Sequence, residues 1–467
     1  MMQFTEIPTF LPSNSNQTTM INKQPQSSSS LWHNFPTLTK SSLTNNLSGN
    51  TNCMEQLLVH CAQAIENNDP TPAQQILWVL NNIAPPDGDS NQRLICAFLR
   101  ALILRVTRTP GCKFMFNNNN NENSNNPMVN NYNIVNEKLS LLELANFVHL
   151  TPWYRFGFTA ANSIIIDAIE SMGLGDKVVV HIVDVSITQC MQIPTLIDLI
   201  STRFQPPQCP PVVRLTVGVV TEHVPPMFDC LSYDDVGLRL INFARSKGVV
   251  LEFEVVHTTP LDGFASLIDQ VRRPSQHHQD DLCYTNDITQ ELLVFNCHMT
   301  LHYLQQLDDI GDIMSTKTIF LKELRSLEPD IVVIVEEDVD FTSRNLVERL
   351  KSAFNYFWIP FDTVDTFLPK WNKQRECYEA DICWKIENVI SYEGGQRVER
   401  QEPRGRWAER MVGAGFRAVE FGEETVTEVK GMVEEHGVGW GSKKEEEHLV
   451  LTWKGHNVAF ASAWLPS

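Results

Sequence analysis

The chain has no C-x-x-C pair, and its 11 cysteines are odd in number. Neither a zinc ribbon nor a thioredoxin-type redox site is signalled, and reduced thiols are expected. Cys61 and Cys96 fall on apolar helical faces, where a thiol packs as a small hydrophobe. No basic-then-apolar signal sequence opens the chain. Long apolar runs are missing too: Val178 to Val180 with Ile182 and Val183 is far too short to span a bilayer. A soluble, intracellular protein with no membrane partner is the expectation. Basic residues are scarce, with 37 Lys and Arg against 56 Asp and Glu, a net charge of −19. Such a charge repels a polyphosphate backbone, whose binding is driven by counterion release from Lys and Arg contacts. Arg272-Arg273 and Lys443-Lys444 are only pairs, so no dense basic cluster stands out. A P-loop, a nucleophile elbow and a Ser-His-Asp order are absent as well.

What is present is globular: 42% apolar and 20% charged residues in 467. Residues 1–50, rich in Ser and Asn, cannot bury enough apolar surface to offset chain entropy and read as a disordered tail. Residues 117–133, mostly Asn, read as a disordered loop. Between them apolar residues recur at three and four, predicting three helices over 53–108. Leu57, Leu58, Leu94, Phe98 and Leu102 lie on their apolar faces and are candidates for cap core or partner binding. From Val178 onwards, short β-branched runs alternate with helical patterns: 178–183, 212–217, 249–256, 292–296 and 331–335. Repeated β-α-β units predict an α/β fold, a Rossmann-like, mostly parallel sheet. A mainly helical cap over 51–175 would sit on an α/β core over 176–467. Helices about 341–390 are inserted in that core, and a hairpin of 448–453 and 458–464 ends it.

Three constellations bear on chemistry. Val180-His181-Ile182-Val183-Asp184 puts an acidic residue at the end of the first strand, where open α/β sheets bind nucleotides. The loop that follows, Val185 to Gln192, holds no glycine. A Cβ at every position obstructs close approach of a cofactor. Asp184 is therefore expected to cap the next helix or bond loop amides, and His181 to be a satisfied core histidine. Glu336-Glu337-Asp338 with Asp340 form a carboxylate cluster with no histidine close in sequence; such density is expected to be solvated rather than to hold a metal. Arg397-Val398-Glu399-Arg400, with Glu402, Arg404, Arg406, Glu409 and Arg410, alternates sign up to and around a helix from Pro403. Ion pairs across a packed surface are expected there, contributing about 0–1 kcal/mol each where exposed. Trp407, Trp453 and Trp464 would fill core or interface space.

These residues resemble the GRAS family of plant regulators. Val180 to Asp184 resembles the family's VHIID signature, and the helices of 53–108 its first leucine-rich region. Pro329, Tyr356, Phe357, Arg375 and Glu376 resemble its PFYRE element. Arg397, Val398, Glu399 and Arg400 repeat its RVER element. Trp407 and Gly415 have seven residues between them, and Leu451, Trp453, Ser462, Ala463 and Trp464 follow, with ten between the last two tryptophans. The family's Gln-Gly pair after the VHIID aspartate is replaced here by Gln189-Cys190 and Gln192-Ile193, and the run from Thr188 to Leu196 resembles one scarecrow-like branch. The resemblance implies a nuclear transcriptional regulator without catalytic, cofactor or metal residues. It implies a helical cap on a core similar to S-adenosylmethionine-dependent methyltransferases. It also implies transcription-factor partners, zinc-finger proteins among them, other GRAS proteins in homo- or heterodimers, and DNA reached indirectly. The rival reading is a small-molecule methyltransferase that retains S-adenosylmethionine.

Overall fold

The computed structural model describes residues 47–108, 140–172, 178–205, 209–220, 232–259, 262–273, 290–304 and 315–467. The Asn-rich loop lies outside these residues, as does the amino-terminal tail up to residue 46. The last four residues of the expected tail open the first helix instead.

Among the described residues five helices come first: α1 Leu47–Glu66, α2 Pro70–Ile83, α3 Ser90–Arg108, α4 Leu141–Leu150 and α5 Pro152–Ser171. Their boundaries follow local chemistry. Pro70 sits in the first turn of α2, where its missing N–H costs nothing. Ser140 and Glu143 form a reciprocal capping box on α4. Strands and helices then alternate: β1 Val178–Ser186, α6 Ile193–Arg203, β2 Val212–Val220, α7 Tyr233–Ser246, β3 Leu251–Thr258, α8 Ala265–Arg272, β4 Gln290–His298, α9 Thr316–Arg325 and β5 Ile331–Glu337. Two long helices follow, α10 Leu346–Phe367 and α11 Lys373–Ser391, then α12 Arg404–Gly413, β6 Phe416–Val419, α13 Glu423–Glu434, β7 Trp440–Glu445, β8 His448–Trp453 and β9 His456–Pro466.

The sheet runs β3-β2-β1-β4-β5-β9-β8-β7, with β6 paired to the far end of β9. β1 to β5 are parallel, and β6 to β9 add an antiparallel flank. Period-two alternation sorts the core into two layers: Val180 and Ile182 face one cluster, Val183 and Val185 the other. The second cluster holds Phe320, Trp407, Met411 and Trp464, brought by α9, α12 and β9.

One expectation needs correction, and two features were not read from the sequence. α5 is not part of the cap: it packs on the sheet, with Gly157 against His298 and Val335. The cap proper pairs α3 with α10 and α11; Phe98 meets Phe354 at 5.6 Å between ring centroids, and Ser391 Oγ donates to Ala101 O. α10 runs unbroken through Pro360 to Phe367. Burial of Ile359, Phe361 and Val364 outweighs the cost of an internal proline. β7, Gly-Ser-Lys-Lys-Glu after its tryptophan, is too polar to read as a strand. It pairs with β8 as a charged edge.

Candidate functional site

Strand register builds the first part of the site. Parallel pairing sets Asp184 beside Asn296 and Ser186 beside His298. Both polar pairs emerge at the carboxyl end of the sheet, where strand order reverses and α/β folds bind ligands. Asn296 Nδ2 donates to Asp184 Oδ1 at 2.6 Å and to Gln192 Oε1 at 2.9 Å. Gln192 Nε2 donates to Asn162 Oδ1 at 2.9 Å, and Asn162 Nδ2 to Thr195 Oγ1 at 2.8 Å. A buried chain of polar groups thus ties β1 and β4 to α6 and α5. Burial pushes the Asp184 carboxyl up to about 7, opposed by hydrogen bonds from Asn296 and the Cys190 thiol. Asp184 does not cap the next helix, because α6 starts after Gln192 with no side-chain cap bond. Its partners are a side-chain amide and a thiol.

The glycine-free loop folds inward. Thr188, Gln189, Cys190 and Gln192 are all buried. Gln189 (φ 51°) and Cys190 (φ 64°) are left-handed, a conformation that favours glycine. The loop's own side chains therefore take the space outside the strand ends. His181 is a buried histidine with Nε2 2.9 Å from Thr216 Oγ1 on β2.

The carboxylates at the end of β5 overturn the solvated reading. Glu336 and Glu337 are 1% and 2% exposed. A histidine does lie against them: His302 Nδ1 is 2.7 Å from Glu336 Oε2, and its Nε2 is 3.6 Å from Glu399 Oε2. Leu301 N donates to Glu336 Oε1 at 2.8 Å. Tyr303 OH donates to Glu399 Oε1 at 2.9 Å, and Lys385 Nζ to Glu337 Oε1 at 2.8 Å. Gln401 bridges Glu337 and Glu399. Asp338 accepts from Arg404 N and Asn457 Nδ2 instead, while Asp340 bonds Thr342.

The segment Arg397 to Glu402 carries ion pairs across a packed surface, as expected, but those of Glu402 are buried. It is extended and buried beneath α10 and α11. Asn388 Oδ1 accepts from Val398 N and Glu399 N, Arg397 Nη1 donates to Phe341 O at 2.6 Å, and Arg400 Nη2 donates to Gly394 O. Lys317 Nζ bonds Arg400 O and Glu402 Oε1, and Arg410 Nε bonds Glu402 Oε2.

The remaining candidates are scattered. Tyr356 OH donates to Val458 O, Phe357 stacks on Phe341, Pro329 is buried before β5, and Glu376 is exposed. Arg375 joins Asp365, Glu379 and Arg93 in a cap network. Trp453 Nε1 donates to Asp362, Trp464 Nε1 to Ser462 Oγ, and Trp407 lies under the Lys317 ammonium. Ala463 and Leu451 are fully buried in the sheet. Gly415 has φ 91°, which explains a glycine there. Leu57, Leu58, Leu94, Phe98 and Leu102 are all buried. Sequence reasoning missed His302, Asn296, Gln192, Asp381 and Lys385. The spacing of Tyr378, Asp381, Ile382 and Lys385 along one helical stripe was the available signal for the last two.

The GRAS domain family model matches residues 54–465. This chain belongs to the GRAS family. Its GRAS domain is 51% identical to Scarecrow-like protein 32 of Arabidopsis thaliana over 422 residues, covering 90% of this chain and 95% of that protein. It is 27% identical to Protein SHORT-ROOT of Arabidopsis thaliana over 460 residues, 94% of this chain and 79% of that one. The crystal structure of SCL7 in Oryza sativa superposes with a TM-score of 0.63 at 20% identity, covering 88% of this chain and 99% of that chain. That likeness shows a shared GRAS fold.

Proposed function

We propose that this GRAS protein is a nuclear transcriptional regulator of plant development that acts as a scaffold and not as an enzyme. Its partners are DNA-binding transcription factors, zinc-finger proteins among them, and other GRAS proteins in homo- or heterodimers. The single observation that carries the reading is the closed strand end. Asn296 donates to both Asp184 and Gln192, and the loop from Thr188 to Gln192 is buried where a nucleotide would lie. Exposed aromatics supply contact points of the kind interfaces use: Trp78 on α2 is 66% exposed and Trp371 before α11 is 89% exposed.

Calorimetric titration of the full chain with S-adenosylmethionine and S-adenosylhomocysteine tests the proposal. No heat and no thermal stabilisation at millimolar ligand is the expected result. Saturable binding at micromolar affinity, about −8 kcal/mol, would establish a working cofactor pocket and overturn it.

A further inference from the structure

A small, half-open cavity lies where α10 and α11 meet α5 and the end of β5. Trp153, Tyr154 and Tyr378 wall it, and Glu337, Asp381 and Lys385 supply its charge. Its free volume is about 30 Å³, whereas one water needs roughly 10–15 Å³ on the same measure. Two heavy atoms therefore fit.

Carboxyls outnumber lysines in its lining, Glu337 and Asp381 against Lys385, and burial pushes the Asp381 carboxyl up to about 7. Glu337 uses one oxygen for Lys385 and the other for Gln401. Glu399 and Glu336 stand behind it, spanned by His302. Asp381 adds a fourth carboxyl. It is only 8% exposed, and its Oδ1 is buried without a hydrogen-bond partner. Lys385 is the one lysine among the cavity's lining residues. A buried carboxylate oxygen left unpaired is costly. It faces a space walled by aromatic rings, whose faces attract cations.

We propose that this cavity binds a small primary ammonium ion, with Asp381 Oδ1 accepting its hydrogen bond and the aromatic rings enclosing it. A hard metal ion fits less well: it demands more oxygen ligands than Asp381 and an already engaged Glu337 provide. A quaternary ammonium is too large for two heavy-atom positions. The site is separate from the closed strand end at Asp184, and the scaffold reading does not depend on it.

The test is thermal unfolding of the full chain in methylammonium, sodium and tetramethylammonium chlorides at matched ionic strength. Methylammonium is expected to raise the melting temperature saturably above the other two salts, and Asp381→Asn is expected to abolish that difference. Equal melting in all three salts, or an undiminished methylammonium effect in the Asn variant, overturns the proposal. Should the Asn variant not fold, Ile382→Phe fills the cavity while retaining Asp381, and it too must lose the effect. Crystals grown in methylammonium that show two ordered waters, with no ion at Asp381, also overturn it.

Discussion

Asp184 shows what a single buried carboxyl does to pH dependence. Its folded value of about 7 lies above the ordinary aspartate value of 3.8, because burial disfavours the charged form. Between those values the folded chain holds a proton that the unfolded chain has released. Folding stability from this group is therefore fully present below about pH 4 and is lost as pH rises to about 7. Asp184→Asn keeps an acceptor for Asn296 and removes the titration. Its stability relative to the parent should increase steadily from pH 4 to 7 and level off above, in urea midpoints taken across that range. A difference that does not change with pH would show that Asp184 is ionised in the fold. Gly157 gives a steric counterpart. A methyl there would lie 2.3 Å from His298 Nε2 and 2.6 Å from Val335 Cγ1. Gly157→Ala should cost about 1–3 kcal/mol by overpacking, read from urea unfolding. Burial holds His298 down at about 3, so the ring stays neutral and cannot relieve the clash by charging. Neither the chain of polar groups at Asp184 nor this glycine contact was legible in the sequence. Each depends on which residues the strand register and helix packing bring together over more than a hundred positions.

Among the elements, helix periodicity and β-branched runs were readable because they are local. The five parallel strands fall within a few residues of their expected ends. The stripe of α3 was readable as apolar, but whether it meets the chain itself or another protein depends on α10 and α11, almost three hundred residues away. The structure turns it inward, with Leu94 and Phe98 1% and 0% exposed. Each alanine there should cost about 2–5 kcal/mol, and the double variant should lose the cap in urea titration. Trp78→Ala and Trp371→Ala should leave the urea midpoint within about 0.5 kcal/mol of the parent and reduce partner binding instead. The buried segment Arg397 to Glu402 escaped for the same reason of range. Its alternating charges read as ion pairs across a packed surface, but the partners, Glu337, Lys317 and Asn388, come from β5, α9 and α11. Lys385→Met should therefore cost about 3–5 kcal/mol, since it leaves Glu337 buried without its cation. A cost below 1 kcal/mol would show that the fold does not depend on this ion pair.

At the scale of the whole molecule, charge bears on the proposed indirect contact with DNA. The net charge of −19 opposes a polyphosphate. The cations that are present are heavily committed: Arg214, Arg272, Arg404, Arg410, Lys444 and Lys454 each sit against a carboxylate. Binding a phosphate with any of them means giving up an ion pair before a counterion is released, so the usual driving force is reduced at its source. The full chain alone should bind duplex DNA no more tightly than about 10⁻⁴ M at physiological salt, the weak end of non-specific affinity. With a sequence-specific partner added, it should be retained on that partner's site, and the salt dependence of retention should follow the partner's phosphate contacts. Sequence-specific retention of the chain alone, with a steep salt slope of its own, would mean that a basic surface outside the described residues makes the contact, and the scaffold would then need no intermediary.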